Sequence, residues 1–368
     1  MGSMAFWYEK RDYITDKKPS AVMNFNLWTQ CKAGGETFLD IGFLVEDIKE
    51  ARKLYFYVPF GGGKIEDLSK TVSNSKLISA IFNEKYSVTD SEEMRYFKEV
   101  KDSDGKIAFV IYSWDTCSDS AVKLTTCTGP GTVVEIDSDK IVDQIGNISI
   151  NKNFSDTDKF YFRFRVPVPS SGKEDTIISK YSPPNSFLQS TWSTTYIIDF
   201  RFNDLRSLSE EISVKTITQR TAFVHITKLH FLLMTKAHVD VETGAPNSTL
   251  RELEENTWDE YVGKKFETKD IVAYHCSEKR KEDEKPILQW EFFAKLKVNN
   301  STLRIISLYL LVLAGITVSL NFISSLMWNM MCNGDYHKIV IIVIIYAFLL
   351  FLALKKSPEV VDKHKNKE

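Results

Sequence analysis

The C-terminal quarter of the chain constrains it most, because no charged residue lies between Arg304 and Asp335. Residues 305–328 are a 24-residue apolar run. As a helix rising about 1.5 Å per residue it reaches about 36 Å, enough to cross a hydrocarbon core of about 30 Å with some tilt. A second run, residues 339–354, has 16 residues apolar on every side and reaches about 24 Å. Lys338 and Lys355 bracket it and can snorkel to the headgroups, while Tyr336 extends it into the interface. A helix on the surface of a soluble protein shows a polar face, and the second run shows none. The expectation is a two-helix transmembrane hairpin over residues 304–355, turning at 329–337 and solvated by membrane lipid. Lys355, Lys356, Lys363, Lys365 and Lys367 crowd its C-terminal end, against Lys338 alone beside the turn. The positive-inside rule then places the tail, residues 356–368, and the domain ahead of the hairpin both in the cytoplasm.

The first run differs from the second in carrying a stripe of small and polar residues, Ser307, Ala314, Thr317, Asn321 and Ser324, with Trp328 at its outer end. Two readings stay open. Small and hydroxyl side chains let helices pack closely, and Gly315 with Ser319 adds a small-xxx-small pair. Alternatively, copies of the stripe line a water-filled path, since an asparagine in lipid is costly unless hydrated or paired. One hairpin cannot enclose a path, so this reading requires a homo-oligomer.

Residues 1–303 read as a soluble domain. A net charge of −2 argues against a protein that coats duplex nucleic acid. The first 18 residues mix Glu9, Lys10, Arg11 and Asp12 with aromatics and do not read as a secretory signal. Five cysteines without framework spacing suit reduced thiols in the cytosol. Strand patterns recur at 38–45, 53–59, 94–100, 107–114, 132–136, 161–168, 194–202, 223–234, 271–276 and 287–298. Asp102-Ser-Asp104-Gly105 supplies hairpin chemistry between the third and fourth. Helical patterns are fewer: 65–72, 75–86, and 249–261, where Thr249 and Glu252 form a capping box. The loop 170–184 is a candidate divide between two lobes. The expected class is α+β, a β-rich, sandwich-like cytosolic sensor domain followed by the hairpin.

The motifs of catalysis are missing. There is no Gly-x-Ser-x-Gly, no His-Glu-x-x-His and no Cys-x-x-Cys, and the six histidines lack ligand spacing. No catalytic residue, metal or cofactor is expected. Gly61-Gly62-Gly63-Lys64 lies between a strand and a helix, but Val58 and Ile65 break the phosphate-loop pattern, leaving a turn whose amides could meet an anion. On a strand, Tyr161, Arg163 and Arg165 share one face while Phe162 and Phe164 point to the core. Arg201, between Phe200 and Phe202, repeats the arrangement. Arginines beside aromatics on a sheet suit phosphates and stacked bases, although a solvent face with local ion pairs has the same pattern.

A cytosolic sensor joined directly to a C-terminal hairpin, without catalytic residues, resembles the membrane effectors of bacterial antiphage systems, and among them the channel-forming effectors of Hailong systems. The resemblance is architectural and carries over no individual ligand-binding residue. It implies a tetramer in the bacterial inner membrane whose ion path answers to an oligodeoxyadenylate signal made by a partner nucleotidyltransferase. The expected function is therefore a ligand-gated oligomeric channel under nucleotide or oligonucleotide control. Thr317, Asn321 and Ser324 would line the path, and Arg163, Arg165 and Arg201 would meet phosphates. The alternative is a membrane-anchored binding or scaffold module without a pore.

Overall fold

A computed structural model describes residues 2–11, 17–31, 35–89, 96–114, 120–147, 159–169, 176–181, 193–244, 248–254, 257–263, 266, 268–280, 285–299 and 302–334, with 337, 340, 341 and 344. The chain divides into two units, Met1–Asn299 and Asn300–Glu368.

The first unit is built from three sheets, with strands numbered along the chain. Ten strands make the largest. Its order is β17 (Thr249–Glu252), β18 (Ile271–Lys279), β15 (His225–Lys236), β2 (Ser20–Thr29), β3 (Thr37–Glu46), β11 (Lys159–Pro167), β8 (Ile107–Tyr112), β7 (Phe97–Lys101) and β6 (Ser87–Thr89), with the short β5 (Glu66–Asp67) paired to β11. A five-stranded sheet runs β14 (Thr221–Phe223), β1 (Ala5–Lys10), β4 (Ala51–Val58), β10 (Thr132–Asp137) and β9 (Val122–Thr126). A four-stranded sheet runs β12 (Ile178–Tyr181), β13 (Ser193–Phe202), β19 (Trp290–Asn299) and β16 (Val239–Thr243).

Alternation decides which face each strand gives to the core. Along β2, Ala21, Met23, Phe25 and Leu27 enter the main core; Asn24, Asn26 and Trp28 take the other face. Along β11, Phe160, Phe162, Phe164 and Val166 enter it, leaving Tyr161, Arg163 and Arg165 opposite, as the sequence predicts. Both smaller sheets pack on this core face. Phe6 of β1 stands 4.9 Å from Phe43, and Phe56 of β4 5.7 Å from Phe164, centroid to centroid. From the four-stranded sheet, Phe200 meets Phe25 at 4.8 Å and Phe292 meets Phe231 at 4.4 Å. The unit is thus a strand-rich α+β sandwich.

The second face of the ten-stranded sheet has its own cover. Helices Ser69–Val72 and Ser75–Phe82 lie over one part, Phe82 meeting Tyr161 at 5.1 Å. Over the middle, Trp258, Tyr261 and Phe266 close on Trp28 at 6.0, 6.3 and 5.6 Å.

Several expectations hold and others need correcting. Asp102–Gly105 is the hairpin turn between β7 and β8: the Asp102 side chain accepts from the amides of Asp104 and Lys106, and Gly105 has φ 78°. Among the described residues, the helix expected over 249–261 does not form along that range. Thr249–Glu252 is strand β17, because the sheet edge at β18 offers it a ladder, and helix is confined to Asp259–Val262. Within 65–72, Glu66 and Asp67 pair with β11 before a one-turn helix. The loop 170–184 divides nothing: Ile178–Tyr181 is a strand within one compact unit, while 170–175 and 182–184 lie outside the described residues.

In the second unit, a helix spans Thr302–Cys332, 31 residues. Its Tyr309–Cys332 stretch has a mean hydropathy of 2.0 and is long and apolar enough to cross a membrane. The expected second span, 339–354, lies outside the described residues apart from Val340, Ile341 and Ile344.

Candidate functional site

Beneath the Trp258–Phe266 segment, the second face of the central sheet carries a band of buried polar residues set by strand register. Asn26 of β2 stands opposite Asp40 of β3, which stands opposite Arg165 of β11; one pleat along, Asn24, Gly42 and Arg163 form the next row. Asp40 and Arg163 have no exposed surface, and Asn26 is 3% exposed.

Arg165 grips Asp40 with both arms of its guanidinium, Nε to Oδ1 at 2.7 Å and Nη2 to Oδ2 at 3.1 Å. Trp28 Nε1 donates to the same Oδ2 at 2.9 Å. Arg165 also lies over the Phe38 ring at 4.0 Å and donates to the carbonyls of Tyr261 and Val262. Those carbonyls end the short helix Asp259–Val262, where the backbone dipole favours a cation. Arg163 donates from Nε to Tyr261 Oη at 2.6 Å and from Nη1 to Tyr161 Oη at 2.8 Å. With the Asn26 amide turned to present its oxygen, Nη2 donates to it at 2.7 Å. Burial opposes the Arg163 charge, but the electrostatics of Tyr161, Tyr261 and Asp40 outweigh it and hold the pKa above the usual arginine value. Burial likewise lifts the Tyr161 and Tyr261 phenols above their ordinary range. Two guanidiniums thus share one carboxylate, and the second is solvated by neutral oxygens.

This arrangement corrects the sequence assignment. Tyr161 and Arg163 have no surface for a ligand to touch. What the pair of arginines captures is the protein's own 258–266 segment, clamped by its phenol and its carbonyls.

Arg165 does edge a cavity of about 1000 Å³, shared with Phe38, Lys64, Glu66, Glu260 and Tyr261. The glycine run joins it here. Gly61, Gly62 and Gly63 all have positive φ, 93°, 55° and 80°, conformations that glycine alone adopts without strain. Its amides face inward: Gly62 donates to Pro130, Gly63 to Thr132 Oγ1, Lys64 to Gly61 and Ile65 to Gly63. The run is a turn and not an anion cradle. Glu36, Glu66 and Glu260 outnumber Lys64 and the already paired Arg165 around this cavity, which disfavours a phosphate there.

Arg201 belongs elsewhere. On β13 it holds Asp199 through Nε at 3.0 Å and Nη2 at 2.8 Å, with Ser207 Oγ at 2.7 Å, beside a second cavity of about 640 Å³. The hydrogen-bonded carboxylate of Asp199, against burial, raises its pKa. The structure therefore does not bring the three arginines together.

On the C-terminal helix, Ser307, Ala314, Thr317, Asn321 and Ser324 are all exposed in the single chain. Thr317 Oγ1 donates to the Leu313 carbonyl and Ser319 Oγ to that of Gly315, each at 2.8 Å. Among the described residues Asn321 has no hydrogen-bond partner.

Among the described residues, no three His, Cys, Asp or Glu side chains converge as ligands for one ion. No family model and no curated sequence matches the chain. Among solved structures it is similar to an M1 zinc metallopeptidase from Deinococcus radiodurans, at 8% identity and a TM-score of 0.23 over 78% of this chain and 44% of that one. It is also similar to the Fcho1 Mu homology domain of Danio rerio with bound Eps15 peptide, at 7% identity and a TM-score of 0.17 over 77% and 79%. The chain spans less than half of the metallopeptidase, and likenesses this slight carry no argument.

Proposed function

We propose that the chain is a membrane effector of bacterial antiphage defence, in which a cytosolic sensor answers to a nucleotide-type signal and C-terminal helices from several copies form an ion path. The observation that carries the reading is Asn321, close to the middle of the Tyr309–Cys332 span and without a partner among the described residues. Thr317 and Ser319 satisfy their hydroxyls on their own helix and can sit anywhere in a bilayer. An amide has two donors and an acceptor oxygen, and in lipid it needs another amide or water. Both call for further copies of the helix: amides hydrogen-bonded across helices, or a hydrated lumen.

The second apolar run, 339–354, completes the hairpin as a lipid-facing helix in this proposal, returning the basic tail to the cytoplasm. Only two residues separate Asn299, the end of β19, from Thr302, the start of the helix. A shift of that strand on ligand binding would reach the span directly.

Native mass spectrometry of the detergent-solubilised chain should give an oligomer, a tetramer on the resemblance, and planar bilayers should show discrete currents. Asn321→Leu should silence the currents. The self-satisfied hydroxyls favour a second reading, an anchor without a pore. A monomer in detergent together with silent bilayers would select it.

A further inference from the structure

The band of polar residues continues along the second face of the central sheet to β15 and β18. In register, Lys228 stands opposite Lys279, His230 opposite Ser277, and Leu232 opposite His275. Leu229, Phe231, Leu233 and Cys276 take the core face, so alternation places Lys228, His230, His275, Ser277 and Lys279 together on the other one. Ser277 and Lys279 are exposed, and Lys228, His230 and His275 are partly so.

Two features of this patch are unusual. Like charges directly opposite each other destabilise a strand pair, yet among the described residues neither Lys228 nor Lys279 forms an ion pair. The two imidazoles bond to each other, His230 Nδ1 to His275 Nε2 at 2.9 Å, with rings stacked at 5.1 Å. Burial holds both below the usual histidine pKa, and the charges acting on them are cationic: Lys228 on both, Arg251 on His275. Every neighbouring element agrees. From β2 come Val22 and Asn24, which are uncharged, and from β17 comes Arg251, whose guanidinium is 4.0 Å from Glu254. Two imidazoles among cations supply no negative ligand for a metal ion. Among the described residues, no carboxylate pairs with the lysines or imidazoles of the patch.

The dimensions set its class. Facing strands lie about 4.8 Å apart and same-face residues about 6.8 Å apart along a strand. That spacing is short enough for two lysines, a hydroxyl and an imidazole to face one phosphate, with the second imidazole in reach of a next phosphate along. We propose that Lys228, Lys279, His230, His275 and the Ser277 hydroxyl form a phosphate-binding site that takes a phosphate group of the nucleotide signal. This deepens the sensor reading and rests on it, but its test is separate. A bound phosphate supplies the missing negative charge, so the imidazole pair takes up a proton and affinity rises as pH falls.

The experiment is calorimetric titration of the full-length protein in neutral detergent with sodium tripolyphosphate, at pH 6 and pH 8. The wild type should bind about tenfold more tightly at the lower pH, and Lys228→Ala with Lys279→Ala should weaken binding by at least about tenfold at both. His275→Gln should flatten the pH dependence and leave binding at pH 8. Lys279→Glu keeps the fold testable: a carboxylate opposite Lys228 should raise the melting temperature while abolishing binding. Wild-type affinity in the lysine variants, or no binding by the wild type, overturns the site, and bilayer currents that persist in that case leave the channel reading standing. Displacement of tripolyphosphate by phosphatidylglycerol nanodiscs but not by ATP would overturn the nucleotide assignment in favour of a lipid headgroup.

Discussion

Gly42→Ala tests the buried network where its packing is tightest. Gly42 lies on β3 beneath the side chains of Tyr161 and Arg163. A Cβ built there falls 2.5 Å from Tyr161 Oη and 3.0 Å from Arg163 Nη1. Ordinary reasoning predicts a gain, because replacing glycine in an extended strand stabilises by about 0.4–1 kcal/mol through the unfolded chain. Here the methyl cannot enter unless the phenol moves, and Tyr161 is fully buried. Overpacking of this kind costs about 1–3 kcal/mol. Displacing the phenol also breaks its 2.8 Å bond to a buried guanidinium, a further loss of about 1.5–3 kcal/mol. The net expectation is a loss of about 2–5 kcal/mol. Urea unfolding followed by tryptophan fluorescence reads it, with Trp28 as a reporter inside the network. Tyr161→Phe removes the clashing oxygen, so the double variant should lose less than the sum of the singles. A neutral or stabilising Gly42→Ala, or strict additivity with Tyr161→Phe, would refute the packing described here.

Asp40→Asn should destabilise by about 3–5 kcal/mol, because it leaves Arg165 buried without its carboxylate; adding Arg165→Met should recover part of the loss, measured by the same unfolding. Asp67, pushed up to about 6 by burial, folds best protonated: its contribution is whole below the ordinary 3.8 and is lost as pH climbs through 6. His230, held down to about 4 by burial and Lys228, folds best neutral: its contribution is whole above 6.5 and is lost as pH falls through 4. Each is worth about 3 kcal/mol and the two oppose each other, so together they add little slope to thermal stability from pH 4 to 6.5. His275, also held down by burial, leaves a net rise. His230→Gln should tilt the profile towards lower stability as pH rises relative to the wild type, and an unchanged profile would refute the His230 assignment. Asn321→Leu should shift the detergent-solubilised protein towards smaller assemblies without lowering the melting temperature of the soluble unit.

The residues of β11 show what the sequence could and could not reveal. Its alternation places Tyr161, Arg163 and Arg165 on one face and the phenylalanines on the other, and that much is local. Whether the polar face meets water depends on Trp258, Tyr261 and Phe266, about a hundred residues further on, and no spacing within the strand encodes their arrival. Just before that segment, Thr249 and Glu252 fit a capping box and predict a helix, but the free edge of β18 offers a ladder and the residues form strand β17. Strand β2 was legible in principle: Ala21, Met23, Phe25 and Leu27 alternate with Asn24 and Asn26. Asparagines at alternate positions of an apolar strand, with Asp40 and Gly42 on β3, were the available signal for a buried network. The long C-terminal helix, apolar enough to cross a membrane, declared itself by the absence of charge, a property read from composition alone.

Ion flux from liposomes holding the purified chain tests the central claim most directly. The account predicts dye-reported flux that needs Asn321 and changes when an oligodeoxyadenylate reaches the soluble domain. Liposomes that stay tight with and without the oligonucleotide, although the protein is incorporated and assembled, would contradict it.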